Sequence, residues 1–324
     1  MFRLFKERKA PNFLIQYKKI AYVFSLIPAM VIFLLPHFTQ WLNSVNLAII
    51  TGFIIFFVLI PLADYFIGRD QTNPTPEQAS VWAEEKFYRY LTYLMIPAQM
   101  AVIFTGGQYF IEHDLTSGQL IGLSILIGVV TATLGITTGH ELVHKTTKLE
   151  QILGGILYST VCYGGFKVEH VRGHHVNVST EKDPSSAEYN QTLYHFLPRA
   201  MRHNTLAAFR LEASRLKAKG LSAWHYRNEL LYWYGLSVVW FSICCVLWGL
   251  QGGVYFLLQA FAAAVVLETI NYVEHYGLRR KLQEEGGFEK VMPHHSWNND
   301  YLLSNLLLFQ LQRHADHHYR AAKR

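Results

Sequence analysis

The chain has 324 residues, 51% of them hydrophobic and 15% aromatic, a net charge of +6 and three cysteines. Apolar residues in that proportion, gathered in long runs, exclude an ordinary soluble domain. Cys162, Cys244 and Cys245 form no Cys-x-x-Cys pair, which excludes an iron–sulfur or rubredoxin-like centre within the chain.

Residues 1–19 carry Arg3, Lys6, Arg8, Lys9, Lys18 and Lys19 and read as a basic lead-in lying at a membrane interface. No basic stripe interleaved with aromatics accompanies the positive balance, so anionic lipid headgroups are its expected partner and nucleic acid is not. Six apolar stretches follow, at 20–36, 47–66, 91–111, 120–139, 230–250 and 254–273. Each is close to the roughly 20 residues that cross about 30 Å of hydrocarbon. The first runs on from the basic segment without a cleavage site of small residues, so no cleavable signal peptide is expected, and Pro28 is predicted to bend it. Lys and Arg partition sharply around these spans. Six precede the first, three lie between the second and third, twelve between the fourth and fifth and eight after the sixth, while 39–45 and 112–119 have none. Cations mark cytoplasmic loops. The sequence therefore predicts an all-α polytopic membrane protein with six spans and both termini cytoplasmic. It forms a single membrane-embedded domain over 1–324, whose regions 140–229 and 274–324 bear ligands on the cytoplasmic side of a bacterial inner membrane.

Those regions hold nine histidines in metal-ligand spacing. His140 and His144 stand at i and i+4 on the cytoplasmic extension of the fourth span. The stretch 149–166 is apolar but short, and as a full span it would carry the next histidines to the wrong side, so it reads as buried or re-entrant. Glu169-His170-Val171-Arg172-Gly173-His174-His175 follows. In an α-helix His170 and His174 share a face and His175 is turned by roughly 100°, so one segment can serve two ions. His275 lies at the end of the sixth span, and His314, His317 and His318 repeat the i, i+3, i+4 pattern. His37 and His113 fall on the opposite side of the membrane. His195, His203 and His225 read as surface residues, and His294 and His295 sit in a Pro-led turn outside the ligand spacing.

His140-Glu141-Leu-Val-His144 also occurs in zinc proteases, but nine histidines exceed what one tetrahedral zinc uses. Imidazoles without cysteine favour borderline first-row metals, and two ions with four or five histidines each is the natural count. Carboxylates near the ligands, Asp64, Glu141, Glu169, Glu274 and Asp316, are candidates for hydrogen bonds to ring N–H groups. Asp64 reads equally as an interfacial charge, and Glu141 as a partner of Lys145 at i+4. Glu268 and Asn271 share a helical face with His275, and an acid inside a span is a functional candidate. They are expected to line the path to the site or to orient His275. The segment 188–227 is polar and rich in cations, including Arg199, Arg202, Arg210, Arg215, Lys217 and Lys219. It reads as a headgroup-facing or partner-docking helix.

His140–Lys145, Glu169–His175, Asn271-Tyr-Val-Glu-His-Tyr-Gly277 and Leu311-Gln-Arg-His-Ala-Asp-His-His318 together resemble the integral-membrane alkane 1-monooxygenases, the alkane hydroxylases. Ala315 stands where that family usually has Ser, and relatives carry a further tail beyond the position of Arg324. The resemblance implies two irons held by the nine histidines, O₂ as co-substrate, and electrons from rubredoxin and its NADH-dependent reductase. The implied reaction is hydroxylation of an n-alkane, dissolved in the bilayer, at its terminal methyl. A related histidine-rich membrane oxygenase or desaturase, acting on aryl-methyl or fatty-acyl groups, is the nearer alternative. A metal transporter is the more distant one, and would place its ligands at the bilayer midplane.

Overall fold

The computed structural model describes residues 18–70 and 74–319. The lead-in over 1–17 and the final residues 320–324 lie outside the described residues. Polar side chains mark where the apolar runs begin. Ser44, Thr116, Thr192 and Asn228 each accept a backbone N–H in the first turn of the following helix, and Thr116 with Gln119 closes a reciprocal capping box. Among the described residues every regular element is helical, beside two isolated bridges, Arg69 with Tyr301 and Leu282 with Phe288. Helices satisfy their own backbone in hydrocarbon. Val45–Ile67, Lys86–Glu112, Ser117–Val143 and Glu229–His275 are long and apolar enough to cross a membrane, and the pair Lys18–Phe33 and Leu35–Leu42, bent by 48°, makes a fifth if counted as one span. The protein is a membrane protein.

The bend in that pair belongs to Pro36 and not, as expected, to Pro28. Pro36 lies in the first turn after the break, and its missing N–H and its ring end the preceding helix. Pro28 begins Ile27–Phe33, where proline is tolerated.

The 47-residue Glu229–His275 is two helices in contact. Its backbone breaks at Trp248 and Gly249, the latter with φ 68°. A Cβ on Gly253 would lie 2.5 Å from Cys245 Sγ and 2.7 Å from Phe241 Cε2. Residues twelve apart in a straight helix are about 18 Å apart. The chain therefore folds back here, close to where the sequence separates the last two apolar stretches.

Three cation-free turns meet at one end of the bundle. Gln119 Nε2 donates to Asn46 Oδ1 at 3.0 Å, the hydroxyls of Thr39 and Tyr109 are 2.5 Å apart, and the Trp248 ring packs against Gly107. His140 and His275 lie at the opposite ends of their helices. Between the two ends, Ser117–Val143 packs so closely on Glu229–His275 that a Cβ on Gly128 would be 2.4 Å from Ala262 Cβ and 2.9 Å from the Gln259 carbonyl. A buried polar knot crosses the same level. Gln99 Nε2 donates to Thr160 Oγ1 (3.1 Å), Thr131 Oγ1 to Gln259 Oε1 (3.0 Å) and Gln259 Nε2 to the Thr160 carbonyl (3.0 Å). It ties the turn after residue 159 to three helices.

That turn ends Lys148–Ser159, whose 12 residues reach about 18 Å, short of the roughly 30 Å of a bilayer core. The helix lies against the end of Ser117–Val143, where a Cβ on Gly154 would be 2.9 Å from the Gly139 carbonyl. Cys162 takes a left-handed φ of 54°, and the chain turns into Gly165–Glu169 and the second histidine segment.

Candidate metal centre

All nine histidines of the sequence pattern converge in two adjoining groups. His140, His144, His170, His175 and His317 form one, and His174, His275, His314 and His318 the other, with candidate ligand atoms in each group within 4.8 Å of one another. Within the first, Nε2 of His170 is 3.1 Å from Nε2 of both His144 and His175, and His175 is 3.0 Å from His317. Within the second, His318 Nε2 is 3.2 Å from His174 and 2.9 Å from His314, which is 3.0 Å from His275. Two nitrogens about 2.1 Å from one ion and about 90° apart are separated by about 3.0 Å, against about 3.4 Å in a tetrahedron. The observed spacing fits ions with more than four positions.

The second histidine segment reaches both groups by a route that the α-helical reading does not give. His170–His174 is a turn of π-helix, closed by a hydrogen bond from the His175 N–H to the His170 carbonyl. A π turn brings i and i+5 to one side, so His170 meets His175 and His174 faces the other group. The last helix, His314–Tyr319, keeps α spacing. His314 and His318 enter the four-histidine group and His317 the five. Asn298 accepts the Ala315 N–H at 2.7 Å and fixes the start of this helix.

The imidazoles are ready to bind a cation. Burial, and after it the neighbouring histidines, holds His170 and His318 well below the usual imidazole range and His175 down to about 2. They are neutral at pH 7 and offer lone pairs.

The expected carboxylates divide. Glu274 is closer than anticipated: its Oε2 lies 3.3 Å from His314 Nε2, the atom that faces the group, and not from the far ring nitrogen. Glu169 is buried with Oε2 unpaired, and burial followed by the nearby Asp183 and Glu268 carboxylates pushes its carboxyl well above the ordinary range. Asp64 touches no histidine; its Oδ1 accepts the Ser304 N–H at 3.1 Å and caps Leu302–Leu307 from another part of the chain. Glu141 is buried beside the site, whereas Asp316 is exposed on the last helix. Glu268 and Asn271 bond to each other at 3.2 Å. His275 Nδ1 is held instead by the His295 carbonyl and Ser296 Oγ, at 3.4 and 3.5 Å.

The residue that sequence reasoning missed is Asp183. Its two oxygens lie 3.1 and 3.0 Å from His174 Nδ1, so it orients that ring and directs Nε2 inward. The only local signal is an Asp-Pro-Ser-Ser stretch in which Ser185 N–H bonds back to Asp183 Oδ1 at 3.1 Å, a turn pattern that says nothing of a histidine. A third grouping, Glu289, His294 and His295, does not fit a metal. His295 Nδ1 accepts the Met292 N–H at 2.9 Å, so the ring proton is on Nε2, facing Glu289 at 3.3 Å. Coordination through Nε2 would need an imidazolate or the loss of that backbone bond.

Comparison with known proteins agrees with this site. The fatty acid desaturase family model matches residues 117–324, which hold all nine histidines. Alkane 1-monooxygenase 2 of Alcanivorax borkumensis is 49% identical over 83% of this chain and 70% of its own length, and that of Pseudomonas aeruginosa 48% over 83% and 72%. The xylene/toluene monooxygenase hydroxylase component of Pseudomonas putida is 26% identical over 75% and 66%. With its histidines grouped five and four at one end of an apolar bundle, and with relatives this similar, the chain belongs to the fatty acid desaturase family and, within it, to the alkane 1-monooxygenases.

Proposed function

We propose that the protein hydroxylates n-alkanes at a terminal methyl, RH + O₂ + 2e⁻ + 2H⁺ → ROH + H₂O, at a non-haem diiron site. The observation that carries this reading is the convergence of nine imidazoles into a group of five and a group of four. His140, His144, His170, His175 and His317 would hold one iron, and His174, His275, His314 and His318 the other. Iron bound there supplies the activation of O₂ that attack on an unactivated C–H bond requires.

The chain's own residues supply the surroundings. Phe166 stacks on His170 with ring centres 4.8 Å apart and shields that side from water. Ile136, Ala264 and Leu267 are buried apolar residues of the spans that end in His140 and His275. An alkane entering from the bilayer between such walls gains affinity without polar recognition, and each methylene is worth about 1–3 kcal/mol. Chain-length range would therefore follow cavity depth.

Support for the topology comes from the fold-back at Trp248–Gly249 and the bent first pair: counting the fold-back as two passes and the pair as one would give six. With the cations on one side of those passes, both termini and the metal centre belong on the cytoplasmic side of the inner membrane. A metal transporter is disfavoured because the ligands gather at helix ends and not at mid-span.

Electrons must come from a separate carrier, for which rubredoxin with its NADH-dependent reductase is the proposed source. Of the cations on Leu193–Lys217 and just after it, Arg199 and Arg215 turn inward, to the Ser186 carbonyl and Gln191 and to Glu212 and the Arg227 carbonyl respectively. Arg202, Arg210, Lys217 and Lys219 are exposed and make the better landing surface for an acidic carrier.

The function is tested by supplying labelled n-octane and toluene to iron-loaded protein with rubredoxin, reductase and NADH. Preferential formation of 1-octanol supports the reading. Benzyl alcohol as the main product would move the protein towards the aryl-methyl oxygenases.

A further inference from the structure

Glu268 stands seven residues before His275, about 10 Å back along the span, fully buried and with no cation among its hydrogen-bond partners. Tyr163 Oη donates to Oε1 at 2.6 Å, Asn204 Nδ2 to the same oxygen at 2.8 Å, and Asn271 Nδ2 to Oε2 at 3.2 Å. A carboxylate accepts at both oxygens, whereas a glutamine would present an NH₂ to one of these donors. Asn204 also bonds Ser185 Oγ, through Nδ2 at 3.2 Å and Oδ1 at 3.4 Å. Ser185 N–H and Ser186 Oγ both donate to Asp183, which holds His174. Glu268, Asn204, Ser185, Asp183 and His174 are each at most 2% exposed. The chain of bonds thus runs without a break from the interior of a span to a ligand ring, crossing the Leu193–Lys217 helix on the way.

We propose that Glu268 and Asn204 are positioning residues for the four-histidine group, acting through Ser185 and Asp183 on His174. An acid here is costly to insert, by roughly 2.5–3.5 kcal/mol at a helix centre, and an apolar residue would fill the same space. What an apolar residue lacks is a fixed acceptor for Asn204, and that acceptor is what ties the Asn204–Ser185 bond to the interior of the span. Outer partners of metal-bound histidines typically change affinity by 10- to 100-fold. Ser185 and Asn204 lie one and two bonds further out, and the expected loss is near tenfold at the four-histidine group, with the five-histidine group unchanged.

This inference rests on the two-iron reading, and the experiment separates the two. Chelated protein is titrated with ⁵⁷Fe(II) and read by Mössbauer spectroscopy for wild type, Asn204→Leu, Ser185→Ala and each of these combined with Asp183→Asn. Ser185→Ala removes one hydroxyl, so it answers if Asn204→Leu does not fold. Fewer than two irons in wild type would overturn the diiron reading itself. With two irons present, the expected result is a shifted signal and about tenfold weaker binding of one iron in either single variant, with little added loss on the Asp183→Asn background. Unchanged signal and affinity in Ser185→Ala, or losses that simply add to that of Asp183→Asn, would overturn the brace.

Discussion

Replacing Glu212 by Gln tests how the second histidine segment is held. The Glu212 side chain is fully buried and accepts from Arg172 Nη1 at 2.7 Å, Arg215 Nε at 2.8 Å and Nη2 at 2.5 Å, and the Glu229 N–H at 3.0 Å. Burial alone would raise its carboxyl, but the two guanidiniums and the backbone N–H outweigh it and bring the value down to about 2. Against an ordinary 4.5, that corresponds to about 3 kcal/mol favouring the folded, ionised form. The figure is plausible for a pair of partly exposed guanidiniums, each attracted by about 4 kcal/mol at an effective dielectric near 20, less the cost of burying the carboxylate. Glu212→Gln keeps the shape and loses the charge, so we expect a loss of about 2–3 kcal/mol. Arg172 lies between His170 and His174, and the variant should also release iron faster. Because the folded value is depressed, this contribution is fully present above about pH 4.5 and disappears as the pH falls towards 2. The assay is resistance to denaturant in uncharged detergent at pH 7 and pH 3, with exposed Arg210→Gln as control. Equal resistance of Glu212→Gln and wild type at pH 7, or no convergence of the two at pH 3, would refute the reasoning.

Two further outcomes follow from the packing and the site. Gly128→Ala places a methyl against Ala262 and the Gln259 backbone and should cost about 1–3 kcal/mol by overpacking; Gly118→Ala, with open space around it, should leave thermal inactivation unchanged. Because His170, His175 and His318 are already neutral at pH 7, apparent metal affinity should be nearly flat between pH 6 and 8, measured with a competing chelator; a steep fall towards pH 6 would show imidazoles that titrate near their ordinary 6.5.

Much of this molecule is legible in its sequence, because bilayer thickness and ligand spacing are both one-dimensional rules. The apolar runs, their cation-free turns and the nine histidines could be found by counting. The pairing of those histidines could not. It depends on a π turn at His170–His174, and nothing in Val171-Arg172-Gly173 distinguishes an i+5 bond from an i+4 one. The partner of Asp64 and the role of Asp183 were not legible for a different reason. Each acts on a residue brought close by the fold, Asp64 on Ser304 across 240 positions and Asp183 on His174 through a turn, and a carboxylate's type and position carry no record of its partner. The same holds for Glu268, whose spacing from His275 suggested that ring while its bonds lead through Asn204 to His174.

The most direct test of the account is the iron content of protein that is turning over n-octane. Chelated protein is restored with increasing Fe(II), and 1-octanol formation is plotted against iron bound per chain. The account predicts little product at the first equivalent and a plateau at two, with one iron weakened or lost and activity falling sharply in His174→Ala and His175→Ala alike. A plateau at one iron per chain, or full turnover with zinc alone, would contradict it.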